Sequence, residues 1–330
     1  MRPFKYTRAT DAAAATRSAS ANSEAKFIAG GTNILDLMRE GVLNPSELVD
    51  ITGLGFARIK SSNGGVSIGA LAKNTDTANH PLIRLGYPLL TQAILSGASA
   101  QIRNMATNGG NLMQQTRCTY FYDIAMPCNK REMGAGCAAF DGMNRNHAIF
   151  GWNANCVDVH PSDMCVALAA LEATVHVQGP DGQVRTISFS DFYKPAADML
   201  MSDTSLRQGE LITSIDLPKS NFASNSYYLK VRDRASFAFA LVSVAAALEI
   251  SGGKIKQVRI AMGGVAPKPW RAIQAEKLLI GKAPDDENFR AAAEAEMKAA
   301  KPLAHNKFKV ELGKRAIVLA LKRAASGKAA

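Results

Sequence analysis

Long apolar runs are missing from this chain of 330 residues: no hydrophobic stretch reaches the length of a bilayer span. The opening MRPFKYTRATDAAAATRSASA lacks the apolar core of a secretory signal, so no export address of the chain's own is expected. A cytoplasmic location follows, or a periplasmic one if a partner carries a twin-arginine signal. Acidic residues are short, 28 against 39 Lys and Arg, which leaves a net charge of +11. The basic residues are dispersed and no nucleic-acid motif accompanies them, so the excess reads as solvated surface plus an anionic ligand. Histidines number five, and after His176 the sequence holds only His305, too few acid–base candidates for a self-contained substrate site in the second half. Cysteines also number five, an odd count that fits no closed disulfide framework.

What is present is concentrated. Every cysteine lies between Cys118 and Cys165, inside the stretch Ile102–Cys165. The spacing C-x9-C-x8-C-x18-C over Cys118, Cys128, Cys137 and Cys156 is neither the paired spacing of a zinc ribbon nor a tight ferredoxin run. The metal stays open on spacing alone. Between these cysteines lie Asn129, Lys130, Arg131, Gly134, Gly136, Asn144, Arg145 and Asn146, a composition suited to an irregular loop around something that carries negative charge.

Two glycine loops precede it. Lys26-Phe27-Ile28 reads as a strand, broken by Ala29-Gly30-Gly31-Thr32-Asn33. A helix with Ile34, Leu37 and Met38 on one face follows, and Gly41 stops it. Thr107-Asn108-Gly109-Gly110-Asn111 is the second loop. Glycines admit close backbone approach and free N–H groups suit an anion, so a diphosphate between the loops is the favoured reading, with a pair of plain tight turns as the bland one. No G-x-G-x-x-G occurs, which argues against a Rossmann fold.

Further along, strands are expected at Leu48–Ile51, Val66–Ala70, Thr174–Gln178, Val184–Phe189 and Leu211–Leu217, with a helix over Tyr87–Ser99. His160-Pro161-Ser162-Asp163 opens another helix, capped by Ser162 or Asp163. A polar segment from Pro218 to Ser226 divides the chain into residues 1–220 and 221–330. The second unit reads as Tyr227–Asp233, a buried element Phe239–Ile250, a strand Ile255–Val265 and three helices around Trp270–Leu279, Asp285–Ala300 and Lys307–Arg323. Met262-Gly263-Gly264-Val265 reads as a close contact between the units or a third ligand loop. The run Lys230, Arg232, Asp233, Arg234 faces either a ligand or solvent.

The segments FIAGGTN, ATNGGNL, HPSDM, KVRDRASFAFALVSVA and GGVAPKPW together resemble the FAD-binding medium subunit of xanthine oxidase-type molybdenum hydroxylases. Within that family TRCTYFYD…PCNKR…GCAA looks most like the flavin and iron–sulfur subunit of bacterial periplasmic aldehyde oxidoreductases. The resemblance covers nearly the whole chain. It implies an α+β fold: a two-lobed FAD-binding domain of the PCMH (vanillyl-alcohol oxidase-like) type with a cluster loop at 113–160, then an α+β domain of antiparallel sheet and helix bundle. It places FAD on Phe27, Ile28, Ala29, Gly30, Gly31, Thr32, Asn33, Ile34 and Leu35, and on Thr107, Asn108, Gly109, Gly110 and Asn111. His160 and Asp163 fall near the ribityl or adenine side, and Lys230 reaches the flavin. A [4Fe–4S] cluster falls on Cys118, Cys128, Cys137 and Cys156, while Cys165, where relatives usually carry alanine, is assigned to packing.

The same resemblance implies an oxidoreductase subunit with no catalytic acid or base of its own. It would work beside a large subunit with the molybdenum cofactor and a small [2Fe–2S] subunit, passing electrons from aldehyde oxidation through FAD to an external acceptor. A 4-hydroxybenzoyl-CoA reductase-like or xanthine dehydrogenase-like complex is the alternative. A self-sufficient flavin oxidase and a non-catalytic metal scaffold are the rivals from other classes.

Overall fold

The computed structural model describes residues 1–194 and 202–327. Three sheets are formed among the described residues. The first is parallel, with strands β1 (Lys5–Arg8), β2 (Ala25–Ile28) and β3 (Glu47–Asp50) in the order β1-β3-β2. The helix Ala12–Ala21 joins β1 to β2; Asp11 caps it, its carboxylate accepting the Ala14 N–H at 2.7 Å. The second sheet is antiparallel, with β4 (Ile59–Ser62), β5 (Gly65–Gly69), β6 (Thr174–Gln178), β7 (Val184–Ser188) and β8 (Leu211–Leu217) in the order β4-β5-β8-β6-β7. β6 and β7 form a hairpin, and β8 returns between it and β5.

The third sheet holds β9 (Ser226–Val231), β10 (Val242–Ser251), β11 (Lys254–Gly263) and β12 (Trp270–Arg271), ordered β12-β11-β10-β9 and antiparallel throughout. The sequence VSVAAALEI is buried on both faces because the two-residue period of a strand splits it between two cores. Val242, Val244, Ala246 and Leu248 join Phe289, Ile317 and Leu321 of the C-terminal helices. Ala245 and Ala247 join Leu89, Leu90, Met164 and Leu168 on the opposite face. Alanine on that second face lets the helices Pro88–Ser96 and Asp163–Ala170 pack down on the sheet. The C-terminal helices are Ile273–Leu279, Asp286–Met297 and Phe308–Ala325.

Differences from the sequence reading sit at small elements. The first sheet has an edge strand, β1, and a crossover helix that polar, alanine-rich residues did not signal. The helix expected over Tyr87–Ser99 ends at Ser96, with Gly97 extended and Ala98 in the left-handed region at φ 49°. The Met262–Val265 segment is a close contact: a side chain on Gly263 would lie 2.6 Å from Val166 Cγ2 of the helix Asp163–Ala170. It is also part of a cleft wall.

Candidate functional site: a nucleotide-sized cleft beside a cysteine cavity

A cleft of about 900 Å³ opens beside the third sheet, walled by both glycine loops, the helix Asp163–Ala170, the cysteine segment and the loop after β9. The first loop leaves β2 and turns on Gly31, which holds φ 73° as glycine readily does. Thr32 and Asn33 reach the cleft. Asn33 accepts the Gln115 N–H at 3.1 Å through Oδ1, and its buried Nδ2 has no protein partner. Gly30 faces the other way: any side chain there would run into the Met105 carbonyl, so the two loops lie back to back.

In the second loop Thr107 Oγ1 accepts the Gly110 N–H at 3.3 Å, capping the short helix Asn108–Leu112. Asn108 is buried and donates to Thr77 Oγ1 at 2.7 Å. Asn74 donates to Asn108 Oδ1 at 2.9 Å, and Asn111 donates to Asn74 Oδ1 at 2.8 Å. Ser162 donates to Asn111 Oδ1 at 2.5 Å, so one amide chain ties this loop to the start of the helix Asp163–Ala170. Gly110 and Asn111 remain on the cleft side.

His160, Asp163 and Lys230 also line the cleft. His160 Nδ1 accepts the Ser162 N–H at 3.3 Å, which puts the ring hydrogen on Nε2, and that atom is buried without a protein partner. Burial pushes this histidine down to about 3, so the ring is neutral and offers one donor. Lys230 Nζ is held by Asp163 Oδ2 at 2.7 Å and by the Ser96 carbonyl at 3.0 Å. Tyr228 donates to Asp163 Oδ1 at 2.7 Å. The lysine expected to reach a flavin therefore first ties the third sheet to the helix beneath the cleft.

The mouth of the cleft is bridged twice. Arg117 donates to Asp36 Oδ2 and to Tyr122 Oη, both at 2.7 Å, and lies over the Phe239 ring at 5.3 Å. Its Nε is buried and unpartnered. Arg145 pairs with both carboxylate oxygens of Asp233, at 2.9 and 3.0 Å. Between them the segment after β9 presents Phe237 and Phe239, each more than half exposed.

Beside the cleft, Cys118, Cys128, Cys137 and Cys156 line one small cavity of about 10 Å³. Cys128 and Cys137 face each other across an isolated antiparallel bridge. Burial pushes the Cys118 thiol up to about 12 and also raises Cys137 and Cys156; backbone N–H groups directed at all three sulfurs work against it. The amide donors favour charged thiolates at this cavity, and the burial opposes them. Among the described residues, no three His, Cys, Asp or Glu side chains gather closely enough to hold a single metal ion. The thiols ring the cavity rather than meet at one point. Lys130 pins the loop beneath it, 2.7 Å from Asp158 and 2.6 Å from Asp203. Cys165 stands apart, fully buried, its sulfur 3.2 Å from Tyr193 Oη.

Residues 2–220 match the family described as the FAD binding domain in molybdopterin dehydrogenase, and residues 227–324 match the CO dehydrogenase flavoprotein C-terminal domain. The chain belongs to the FAD-binding medium subunits of the molybdenum hydroxylases. It is 45% identical over 325 residues to the aldehyde oxidoreductase FAD-binding subunit PaoB of Escherichia coli strain K12, covering 98% of this chain and 99% of that one. The glyceraldehyde dehydrogenase medium chain of Sulfolobus acidocaldarius is 30% identical over 285 residues, 86% of this chain and 83% of its own. Among solved structures, carbon monoxide dehydrogenase from Hydrogenophaga pseudoflava superimposes at a TM-score of 0.77 with 26% identity, over 100% of both chains.

The cleft has the size and the free donors an FAD needs: Asn33 Nδ2, His160 Nε2 and Arg117 Nε are buried polar atoms awaiting acceptors. Of the residues expected to contact it, Thr32, Asn33, Gly110, Asn111, His160, Asp163 and Lys230 line the wall. Phe27, Ile28, Ala29, Gly30, Gly31, Ile34, Leu35, Thr107, Asn108 and Gly109 stand behind it. Phe27 and Ala29 pack against an apolar cluster, and Gly109 lies against Ala70. Asn74, Arg103 and His147 line the cleft without having been singled out. A lone Asn opening a short polar helix gives no signal, whereas His147 could have been noticed as a histidine inside the cysteine stretch.

Proposed function

We propose that this subunit binds FAD with its diphosphate against Thr32–Asn33 and Gly110–Asn111, and holds a [4Fe–4S] cluster on Cys118, Cys128, Cys137 and Cys156. In this reading residues 1–220 form the FAD-binding domain and residues 221–330 the domain that closes the cleft. The partners are a large molybdenum-cofactor subunit, where an aldehyde and water become a carboxylic acid, and a small [2Fe–2S] subunit. FAD supplies the step that passes the resulting electrons to an external acceptor.

The chain's own residues bind and orient. The amide chain Asn74–Asn108–Asn111–Ser162 fixes the second loop. His160 offers a neutral N–H from a dry wall, and the Asp163–Lys230 pair sets the depth of the cleft floor. The observation that carries the proposal is the shared wall: Thr116, Cys118 and His147 line both the cleft and the cysteine cavity. The likeness to the aldehyde oxidoreductase subunit along almost the full length of both chains supports aldehyde chemistry for the complex. Co-purification with the products of neighbouring genes, followed by flavin and iron determination, tests it. About one FAD and about four irons per chain in this subunit are expected, with bleaching of the flavin band on addition of an aromatic or aliphatic aldehyde. Zinc in place of iron after anaerobic purification, or a flavin band untouched by any aldehyde, counts against it.

A further inference from the structure

His147 sits in the partition between the two cavities and lines both. Its Nε2 lies 3.1 Å from Cys118 Sγ, while its buried Nδ1 has no partner among the described residues. The backbone that carries the ring is held by groups inside and outside the cysteine stretch. Lys309 Nζ and Asn306 Nδ2 donate to the His147 carbonyl at 2.9 and 3.1 Å, and the His147 N–H donates to the Asn144 carbonyl at 3.0 Å. Lys309 and Asn306 are themselves fully buried. The start of the last helix therefore fixes the backbone at His147, and from that anchor the imidazole faces one sulfur. No other cysteine of the four has a side-chain donor among the described residues.

We propose that His147 donates its Nε2–H to the Cys118 sulfur and so raises the reduction potential of the cluster that the four cysteines hold. The inference rests on the cluster reading above. A metal-bound cysteine sulfur is a thiolate, which only accepts, so the nitrogen facing it carries the hydrogen. A donor to a ligating sulfur offsets the negative charge added on reduction, and hydrogen bonds to the sulfurs are one of the determinants of cluster potential. His147 is thus a positioning residue; it touches neither substrate nor the iron.

The test is a redox titration of the intact complex, following the EPR signal of the reduced [4Fe–4S] cluster in the wild type, His147→Phe and His147→Gln. The phenylalanine variant should keep its iron and flavin while its cluster midpoint shifts to a lower potential. Glutamine, which retains an N–H donor, should recover part of the shift. Iron lost from the phenylalanine variant and kept in the glutamine variant also supports the inference, since the donor then decides retention. An iron-replete phenylalanine variant with an unmoved midpoint overturns it, as does a glutamine midpoint no higher than the phenylalanine one, or iron lost from both. Wild-type complex without iron in this subunit would instead sink the cluster reading, and this inference with it.

Discussion

At the scale of single residues, the glycines of the two loops separate by what a side chain would meet. Gly110 opens on the cleft and has only Thr107 Oγ1 nearby, at 3.0 Å. Gly110→Val should therefore fold and melt like flavin-free wild type, below the flavin-loaded protein, and lose most of its flavin, read as the ratio of flavin to protein absorbance. Gly30→Ala should lose flavin and also melt several degrees lower, because its methyl would displace the Met105 backbone and part the loops. Stoichiometric flavin in the Gly110 variant would remove that position from the phosphate site. The cysteines divide in the same way. Cys165 is a buried residue of a regular helix whose thiol burial pushes up to about 12, the behaviour of a small hydrophobe. Cys165→Ala should keep full iron at a cost of about 1 kcal/mol. Cys156→Ala should lose the cluster; iron analysis of the two variants giving the opposite order would exchange their roles.

Element by element, legibility followed regularity. Leu211–Leu217 is a strand with the expected ends, because alternating branched residues bounded by turns leave little choice. The first glycine loop and the Ser162 cap were equally readable, since each rests on local chemistry, whereas Thr107–Asn111, expected as a loop, runs into the short helix Asn108–Leu112. The strand β4 and the short helices Ala100–Arg103 and Thr119–Tyr122 were not readable, as four polar or mixed residues carry no period. The path of the cysteine segment was beyond local rules altogether, being set by long-range pairs. Chief among these is Lys130, whose ammonium is nearly dry. Burial acts to lower its pKa, but Asp158 and Asp203 outweigh that and hold it raised. Lys130→Met would leave two partly or wholly buried carboxylates facing each other, a loss of about 3–5 kcal/mol for a buried ion pair broken on one side. Faster proteolysis between Cys118 and Cys156, together with a lower melting temperature, is the expected result. A variant as resistant as the wild type would show that the loop is held elsewhere.

For the molecule as a whole, the site exists because distant parts of the chain are fastened around it, and the fastenings are buried charges. Asp163–Lys230 joins the helix under the cleft to the third sheet. Lys309, fully buried near the start of the last helix, joins the His147 carbonyl at 2.9 Å to the Gly264 carbonyl at 2.7 Å, with no carboxylate paired to it among the described residues. Burial, and then the neighbouring Arg145 charge, lower this lysine from its ordinary 10.5 to about 7. Below about pH 7 the amine is charged in folded and unfolded chains alike, and the fold bears the full cost of the buried charge. Between about 7 and 10.5 the unfolded chain keeps the proton that the folded chain has released, so stability rises with pH through that window. The rise is at most about 1.4 kcal/mol per pH unit from a single group. Urea unfolding of wild type and Lys309→Met, followed from about pH 6 to about pH 9.5, isolates the contribution as the difference between the two slopes. The wild type should gain stability across this range relative to the variant, which has nothing to titrate at this position. Parallel curves would mean that the ammonium stays charged in the fold, held by its two carbonyls strongly enough to cancel the cost of burial.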